Sequence, residues 1–297
     1  MTKPDLQSVR RWFAEELRYV VRVRSPGVVQ AFASVPREHF AGPGPWRILS
    51  PRRSEDYWST EDADPRRLYH DVLIAIDETR RLNNGQPSLW AQLFDVLGLT
   101  LGDHVIHVGA GNGYYSAILA EIVGPTGRVT AIEIDPGIAA RAKSNLAVAW
   151  PQATVIAADG FAYRPDRLAD AIVVNAGVTH LSLAWLDALA PENGRLLVPL
   201  TRANWTGGFL LITRHAGETR RYPVRYVTWT GIIPCVGGRN STAEAQLNEA
   251  LARSGYDTIR SLRRTPDEPD KTCWLAGDGW WLSTAEASPD GMKQEVA

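Results

Sequence analysis

Val105-Ile106-His107-Val108-Gly109-Ala110-Gly111-Asn112-Gly113-Tyr114 is the stretch whose reading decides the fold. A short, largely apolar run passes directly into three glycines at alternate positions, and a helical pattern over 115–123 follows. Apolar runs of that length ending in glycine are how buried parallel strands read. Glycines at the strand-to-helix turn let the backbone fold sharply and pass close to a ligand. The spacing is G-x-G-x-G. A dinucleotide fingerprint needs its third glycine where Tyr114 stands, and a P-loop needs Lys followed by Ser or Thr, so neither reading holds.

The rhythm continues downstream. Strands are expected over 104–108, 128–134, 153–157, 171–174 and 195–199, with helices over 136–148 and 181–189. Strands alternating with helices at this spacing predict an α/β fold with a doubly wound, mainly parallel, Rossmann-like sheet. Two further tips complete a site at its strand ends. Glu133 lies 20 residues past Gly113, where a carboxylate accepts from both hydroxyls of a ribose. Asp159-Gly160 ends the third strand, with an acid for an exocyclic amino group and a glycine permitting close approach. Together the three tips fit a nucleoside without phosphates.

Upstream, residues 6–40 are mostly helical, broken at Ser25-Pro26-Gly27, and 41–67 reads as an irregular connection pegged by Trp46, Tyr57 and Trp58. A helix is expected over 88–97. Downstream, 209–214 and 222–229 form a hairpin, 243–253 an amphipathic helix, and strands flank Gly277-Asp278-Gly279 in a second hairpin; the last ten residues are polar and expected to fray. The division expected is a helical cap and substrate-side loop over 1–87, a cofactor-binding domain over 88–230, and a C-terminal α+β extension over 231–297.

The 297 residues are 44% hydrophobic, and 32 basic residues balance 33 acidic ones. That balance argues against nucleic acid or an anionic membrane as a partner held by bulk charge. Two cysteines exclude a disulfide scaffold and argue against a structural metal site. The N-terminus has neither a signal-peptide core nor a membrane span, so a cytoplasmic enzyme without metal is expected.

These motifs resemble class I S-adenosylmethionine-dependent methyltransferases, and among them the protein-L-isoaspartate O-methyltransferase family. Val35-Pro36-Arg37-Glu38-His39-Phe40 resembles its V-P-R-x-x-F segment, Tyr69-His70-Asp71 its Y-x-D segment, and Gln86-Pro87 the end of its T-I-S-Q-P loop. Ala171 to Gly177 and Gly194 to Pro199 resemble its fourth and fifth strands. The resemblance implies S-adenosylmethionine as cofactor, S-adenosylhomocysteine as product, and a carboxylate of a peptide or protein as acceptor. Gly109, Gly111, Asn112 and Gly113 would lie under the methionine part. Glu133 would hold the ribose, Ile134 would lie against the adenine, Asp159 and Gly160 would meet its edge, and Thr230 would approach the cofactor. Trp90 falls where a residue of the cofactor loop is placed.

Two departures stand out. The loop reads Asn83-Asn84-Gly85-Gln86-Pro87, so Gly85 replaces the serine regarded as the active-site residue, and His107 stands where the first strand carries an acid. For His107 two readings stay open: a neutral nitrogen for the amino end of the cofactor, or a core histidine. A carboxylate acceptor is ionised near neutrality and needs alignment more than a base, which Asn83 and Asn84 would provide. Weak isoaspartyl repair is expected, with Gly85→Ser raising it. Since ligands sit beyond the carboxyl ends of such strands, Asn175 and Gly177 at the end of the fourth are acceptor-side candidates. His39, His70 and His180 read as structural, and Trp274, Trp280 and Trp281 as packing of the last hairpin. The alternatives are a methyltransferase for a biosynthetic peptide or small metabolite, and a cofactor-binding regulatory protein without turnover.

Overall fold

A computed structural model describes residues 5–51 and 53–287. It forms two compact units, one ending at Gly160 and one beginning at Phe161.

The first unit opens with three helices: α1 (Leu6–Val21), α2 (Pro26–Ser34) and α3 (Arg37–Ala41). Asp5 caps α1 by accepting from Ser8 N–H at 2.9 Å, and Ser25 caps α2 with Pro26 in its first turn, each cap worth about 1 kcal/mol. Asp95 accepts from the N–H groups of both Arg24 and Ser25 and so fixes the break between α1 and α2.

The segment expected to be irregular is not. It holds β1 (Arg47–Ser50) and β2 (Arg53–Ser59), which join β3 (Leu73–Asp77) and β4 (Leu82–Asn83) in an antiparallel sheet of order β2-β1-β3-β4. The glycines and prolines that suggested a loop sit in the turns. Trp46, Ile48, Leu68 and Ile74 form the small core beneath this sheet. Arg47 grips Glu78 across it at 2.7 and 2.8 Å.

Helix α4 (Pro87–Leu97) begins on a proline and ends at left-handed Gly98, the usual asymmetry of helix ends. Then the units of the doubly wound pattern follow: β5 (His104–Val108), α5 (Tyr114–Val123), β6 (Arg128–Glu133), α6 (Pro136–Leu146) and β7 (Ala153–Ala157). β5, β6 and β7 pair in parallel. β5 is buried along its whole length, its Val-Ile-Val apolar residues together with His104, on Thr130, and His107, on Ser116.

The second unit contains β8 (Ala171–Val174), α7 (Leu183–Ala188), β9 (Gly194–Thr201), β10 (Thr206–Arg214), β11 (Arg221–Gly231), α8 (Ser241–Arg253), β12 (Ser261–Arg264), β13 (Cys273–Gly277) and β14 (Trp280–Ser283). β8 and β9 are parallel, and every later pairing is antiparallel, in the order β8-β9-β10-β11-β12-β14-β13. Both expected hairpins form. β12 was not expected; Leu262 and the stack of Arg263 on Trp281, 4.8 Å from the ring centre, seat it. Trp274, Trp280 and Trp281 are all buried in this hairpin. The expected fraying of 288–297 lies outside the described residues. No helix among the described residues is long and apolar enough to cross a membrane.

Candidate active site

The three glycines after β5 all take left-handed backbone: φ is +79° at Gly109, +56° at Gly111 and +93° at Gly113. L-residues with a side chain enter that region only with strain, which accounts for the G-x-G-x-G spacing. Gly109 and Ala110 donate their N–H groups to Ile132 C=O at 2.8 and 3.0 Å, so the loop is tied to the end of β6. Asn112 is committed elsewhere. Its Nδ2 donates to Phe40 C=O at 2.9 Å, and its own C=O accepts from Asn145 Nδ2 at 2.9 Å. His39 Nε2 meets Asn145 C=O at 2.8 Å. Asn112 and His39 therefore fasten α3 to the glycine loop.

Glu133 ends β6 with a buried carboxylate. Oε2 accepts from Gly111 N–H at 2.8 Å and Oε1 from Asp135 N–H at 3.1 Å. A carboxylate has about four lone-pair positions, so each oxygen retains one. Beside it, Ile134 is 43% exposed, an apolar surface next to a fixed acceptor pair. Asp159 is half-buried after β7. A Cβ at Gly160 would stand 2.5 Å from Val108 Cγ1, so close packing on β5 requires the glycine there. Arg80 pairs with Asp77 and Asp135 at 2.7 and 2.6 Å, bracing β3–β4 against the start of α6. A fixed carboxylate, an adjacent open apolar face and a glycine turn fit a nucleoside with its ribose on Glu133.

His107 has no exposure at all, and its Nδ1 lies 2.8 Å from Ser116 Oγ in α5. Burial pushes its pKa down to about 3, so it is neutral, and Nε2 is buried with no hydrogen-bond partner among the described residues. Of the two open readings, the geometry fits the core histidine.

The V-P-R, Y-x-D and Q-P segments form one hydrogen-bonded chain. Arg37 is buried, between the rings of Phe13 and Tyr114 at 5.4 and 5.6 Å, and its guanidinium donates to the C=O groups of Leu68, His70 and Val72. This holds Asp71, which accepts from Ser88 N–H at 2.8 Å, Ser88 Oγ at 2.7 Å and Gln86 Nε2 at 2.8 Å. Sequence reading named these motifs but not the clamp.

That clamp sets the 83–88 loop. Asn83 is fully engaged: Oδ1 accepts from Gly85 N–H at 2.9 Å, and Nδ2 faces Tyr57 Oη at 3.2 Å. Asn84 is 7% exposed. Its Oδ1 accepts from Ile74 N–H at 2.8 Å, while Nδ2 has no hydrogen-bond partner among the described residues. The backbone N–H can face only the oxygen, which fixes the amide's orientation and directs its donor away from β3. Gly85 has φ +79°, and its C=O accepts from Tyr115 Oη at 3.1 Å.

The remaining candidates lie in the second unit. Asn175 follows β8 directly. Gly177 donates to Ile233 C=O at 2.8 Å and accepts from Cys235 N–H at 2.9 Å. A Cβ there would stand 2.3 Å from Thr201 Oγ1, so this glycine serves packing. Thr230, on β11, is buried with its hydroxyl unpartnered among the described residues. Arg239, missed in the sequence, donates to Thr201 Oγ1 at 2.8 Å and to Gly177 C=O at 3.2 Å.

Residues 56–233 match the family model described as protein-L-isoaspartate(D-aspartate) O-methyltransferase (PCMT). The chain is 30% identical over 213 residues to a protein-L-isoaspartate O-methyltransferase of Gloeobacter violaceus, covering 70% of this chain and 92% of the relative. It is 29% identical over 215 residues to that of Methanopyrus kandleri, covering 71% and 85%. A solved protein-L-isoaspartate O-methyltransferase superposes with a TM-score of 0.63 at 20% identity, covering 94% of this chain and 87% of that one. A Plasmodium falciparum structure of the same description, in complex with S-adenosyl-L-homocysteine, gives 0.59 at 18% identity, covering 76% and 98%. The structural likenesses speak to the fold alone.

Proposed function

The chain belongs to the protein-L-isoaspartate(D-aspartate) O-methyltransferase family and is an S-adenosylmethionine-dependent methyltransferase, and on that premise we propose that its acceptor is a peptide or protein carboxylate held by Asn84, of the isoaspartyl type that its relatives' names state. The observation that carries the reading is the amide of Asn84, locked through Oδ1 on Ile74 N–H with its Nδ2 donor uncommitted among the described residues.

S-adenosylmethionine supplies an electrophilic methyl on a sulfonium whose charge disappears as the methyl leaves. Toward it the chain contributes the acceptor pair of Glu133 for the ribose hydroxyls, the open side of Ile134 for the adenine, and the backbone of the glycine loop for the amino-acid part. Asp159 belongs to the adenine side in this reading. Thr230 stays an adjunct supported by its unpartnered hydroxyl alone. Asn112 and His107 drop out of the contacts, since one fastens α3 and the other is buried on Ser116.

A carboxylate is already ionised at neutral pH, so transfer needs no base but does need the acceptor oxygen aligned with the methyl group. A neutral N–H donor on one acceptor oxygen orients the other without quenching its charge. Asn84 is that donor. Asn83 acts behind it, holding Gly85 in place. Asn175 remains an acceptor-side candidate by its position after β8. The reading places the enzyme in the cytoplasm, in keeping with two cysteines that form no disulfide among the described residues.

The test is incubation with a simple isoaspartyl peptide, measuring S-adenosylhomocysteine and the methyl ester together. Stoichiometric, base-labile ester supports the reading. Product release without ester, or methyl on nitrogen or sulfur, contradicts it. A second reading, a carboxylate in a different peptide context, is favoured by Gly85, which lacks a side chain and has no room for one; a panel of natural-product peptides separates the two.

A further inference from the structure

The hairpin of β3 and β4 is held firmly at its base and lightly at its tip, all within the first unit. At the base, Ile74 exchanges two hydrogen bonds with Asn84: its N–H donates to Oδ1 at 2.8 Å, and its C=O accepts from the backbone N–H at 3.0 Å. The same loop is anchored by Asp71, which accepts from Ser88 N–H at 2.8 Å. At the tip, residues 77–81 turn back, with Arg81 N–H donating to Glu78 C=O at 3.0 Å. From this turn Arg80 reaches out of the small sheet to Asp135 Oδ2, at 2.6 Å, at the start of α6. We propose that Arg80 is a positioning residue that latches this hairpin as a strap across the cofactor site and so gates entry and release of the cofactor, an inference that rests on the placement of the ribose on Glu133.

The strap meets the elements that build that site. Ile76, midway along it, rests on the glycine loop: a Cβ at Gly111 would stand 3.1 Å from Ile76 Cδ1. Ala75 pairs with Asn83 and Asp77 with Leu82, so β3 carries one residue more than β4 between those pairs. A bulge of this kind re-aims a side chain, here Ile76 onto Gly111. Gly111 N–H is one of the two donors that hold the Glu133 carboxylate, and the other is the N–H of Asp135, the residue that Arg80 grips. The two contacts of the strap thus fall on the two residues that fix the ribose acceptor. A ligand spanning the glycine loop and Glu133 lies along the strap, and lifting the tip uncovers it.

The ties of the turn differ in what they join. Arg47 holds Glu78 from the neighbouring strand of the same sheet and keeps the turn in shape. Arg80 to Asp77, at 2.7 Å, also stays inside the strap. Arg80 to Asp135 leaves the sheet, and it is weak enough to open. The Arg80 side chain is 50% exposed and that of Asp135 27%, and an exposed ion pair shifts an equilibrium by about fivefold at most. Hydrogen bonding to Arg80 holds the Asp135 carboxyl below the ordinary carboxylate range. The latch is therefore charged on both sides at neutral pH and yields to salt.

The experiment measures association and dissociation rate constants of S-adenosylhomocysteine on the immobilised full chain, at low and high salt. Arg80→Met should raise both constants by about two- to fivefold and hold their ratio within about twofold, because a gate governs passage in both directions. Arg80→Glu, which sets a like charge against Asp77 and Asp135, should raise them further, and Arg80→Lys should keep the wild-type rates. High salt should bring the wild type toward Arg80→Met, in which salt has little effect. Faster dissociation with unchanged association would make Arg80 a static support of the site, and unchanged rates in both Arg80→Met and Arg80→Glu would remove the latch. Either result overturns the proposal while cofactor binding at Glu133 stands. Full affinity in Glu133→Ala would instead move the ribose elsewhere and overturn the placement and the proposal together.

Discussion

A Cβ at Gly85 would stand 2.6 Å from Trp90 Nε1 and 3.3 Å from Tyr115 Cε2. The volume into which a side chain at 85 would project is filled by the indole, and the backbone there has φ +79°. Loop and helix have thus adjusted to each other, and a restored serine meets both a steric and a conformational barrier.

Gly85→Ser therefore lowers stability and does not raise isoaspartyl activity, the reverse of what the sequence alone suggests. Left-handed strain of about 1–2 kcal/mol adds to an overpacking cost of about 1–3 kcal/mol. Urea unfolding should show a midpoint loss corresponding to roughly 2–5 kcal/mol, with turnover on an isoaspartyl peptide falling alongside. A stable, faster Gly85→Ser enzyme would mean that Trp90 yields.

Glu133→Ala should weaken S-adenosylhomocysteine binding by about one to two decades, since charge-assisted hydrogen bonds are worth roughly 1.5–3 kcal/mol. The variant also strands the N–H groups of Gly111 and Asp135, so its melting temperature should fall too. Calorimetry separates the two effects, and unchanged affinity in the folded variant would remove Glu133 from the site.

Acid stability should report on His107. Its folded pKa of about 3 lies below the ordinary value of 6.5. Below that ordinary value the unfolded chain binds a proton that the folded chain refuses, so stability is lost as pH falls from 6.5 toward 3. The slope from this group approaches about 1.4 kcal/mol per pH unit. His107→Asn, which keeps a polar atom for Ser116, should flatten the fall between pH 6 and 4 while leaving pH 8 stability little changed. Equal slopes in both proteins would show that His107 is accessible to protons.

The sequence disclosed what is local and periodic. β5, α5, β6, α6 and β7 follow from apolar runs and glycine turns, and Glu133 and Asp159 fall at strand ends fixed by that spacing. It did not disclose β1 to β4, because short strands among prolines, glycines and acids pair at long range: Ile48 lies opposite Ile74. It did not disclose the Arg37 clamp either, since carbonyls at 68, 70 and 72 leave no mark in side-chain identity. Nor did it separate Asn83 from Asn84. Only the pairing of Ile74 N–H with Asn84 Oδ1 tells which amide retains a donor.

Asn84→Asp tests the central claim most directly. The replacement has the same shape and keeps an oxygen for Ile74 N–H, so the loop is preserved, but the Nδ2 donor becomes a carboxylate oxygen facing the acceptor. Steady-state kinetics on an ester-forming peptide should show kcat/KM lower by about a hundredfold or more, with S-adenosylhomocysteine affinity and melting temperature held, because a donor to a charged group is replaced by a like charge. A kcat/KM within about threefold of wild type would contradict the assignment of the acceptor carboxylate to Asn84.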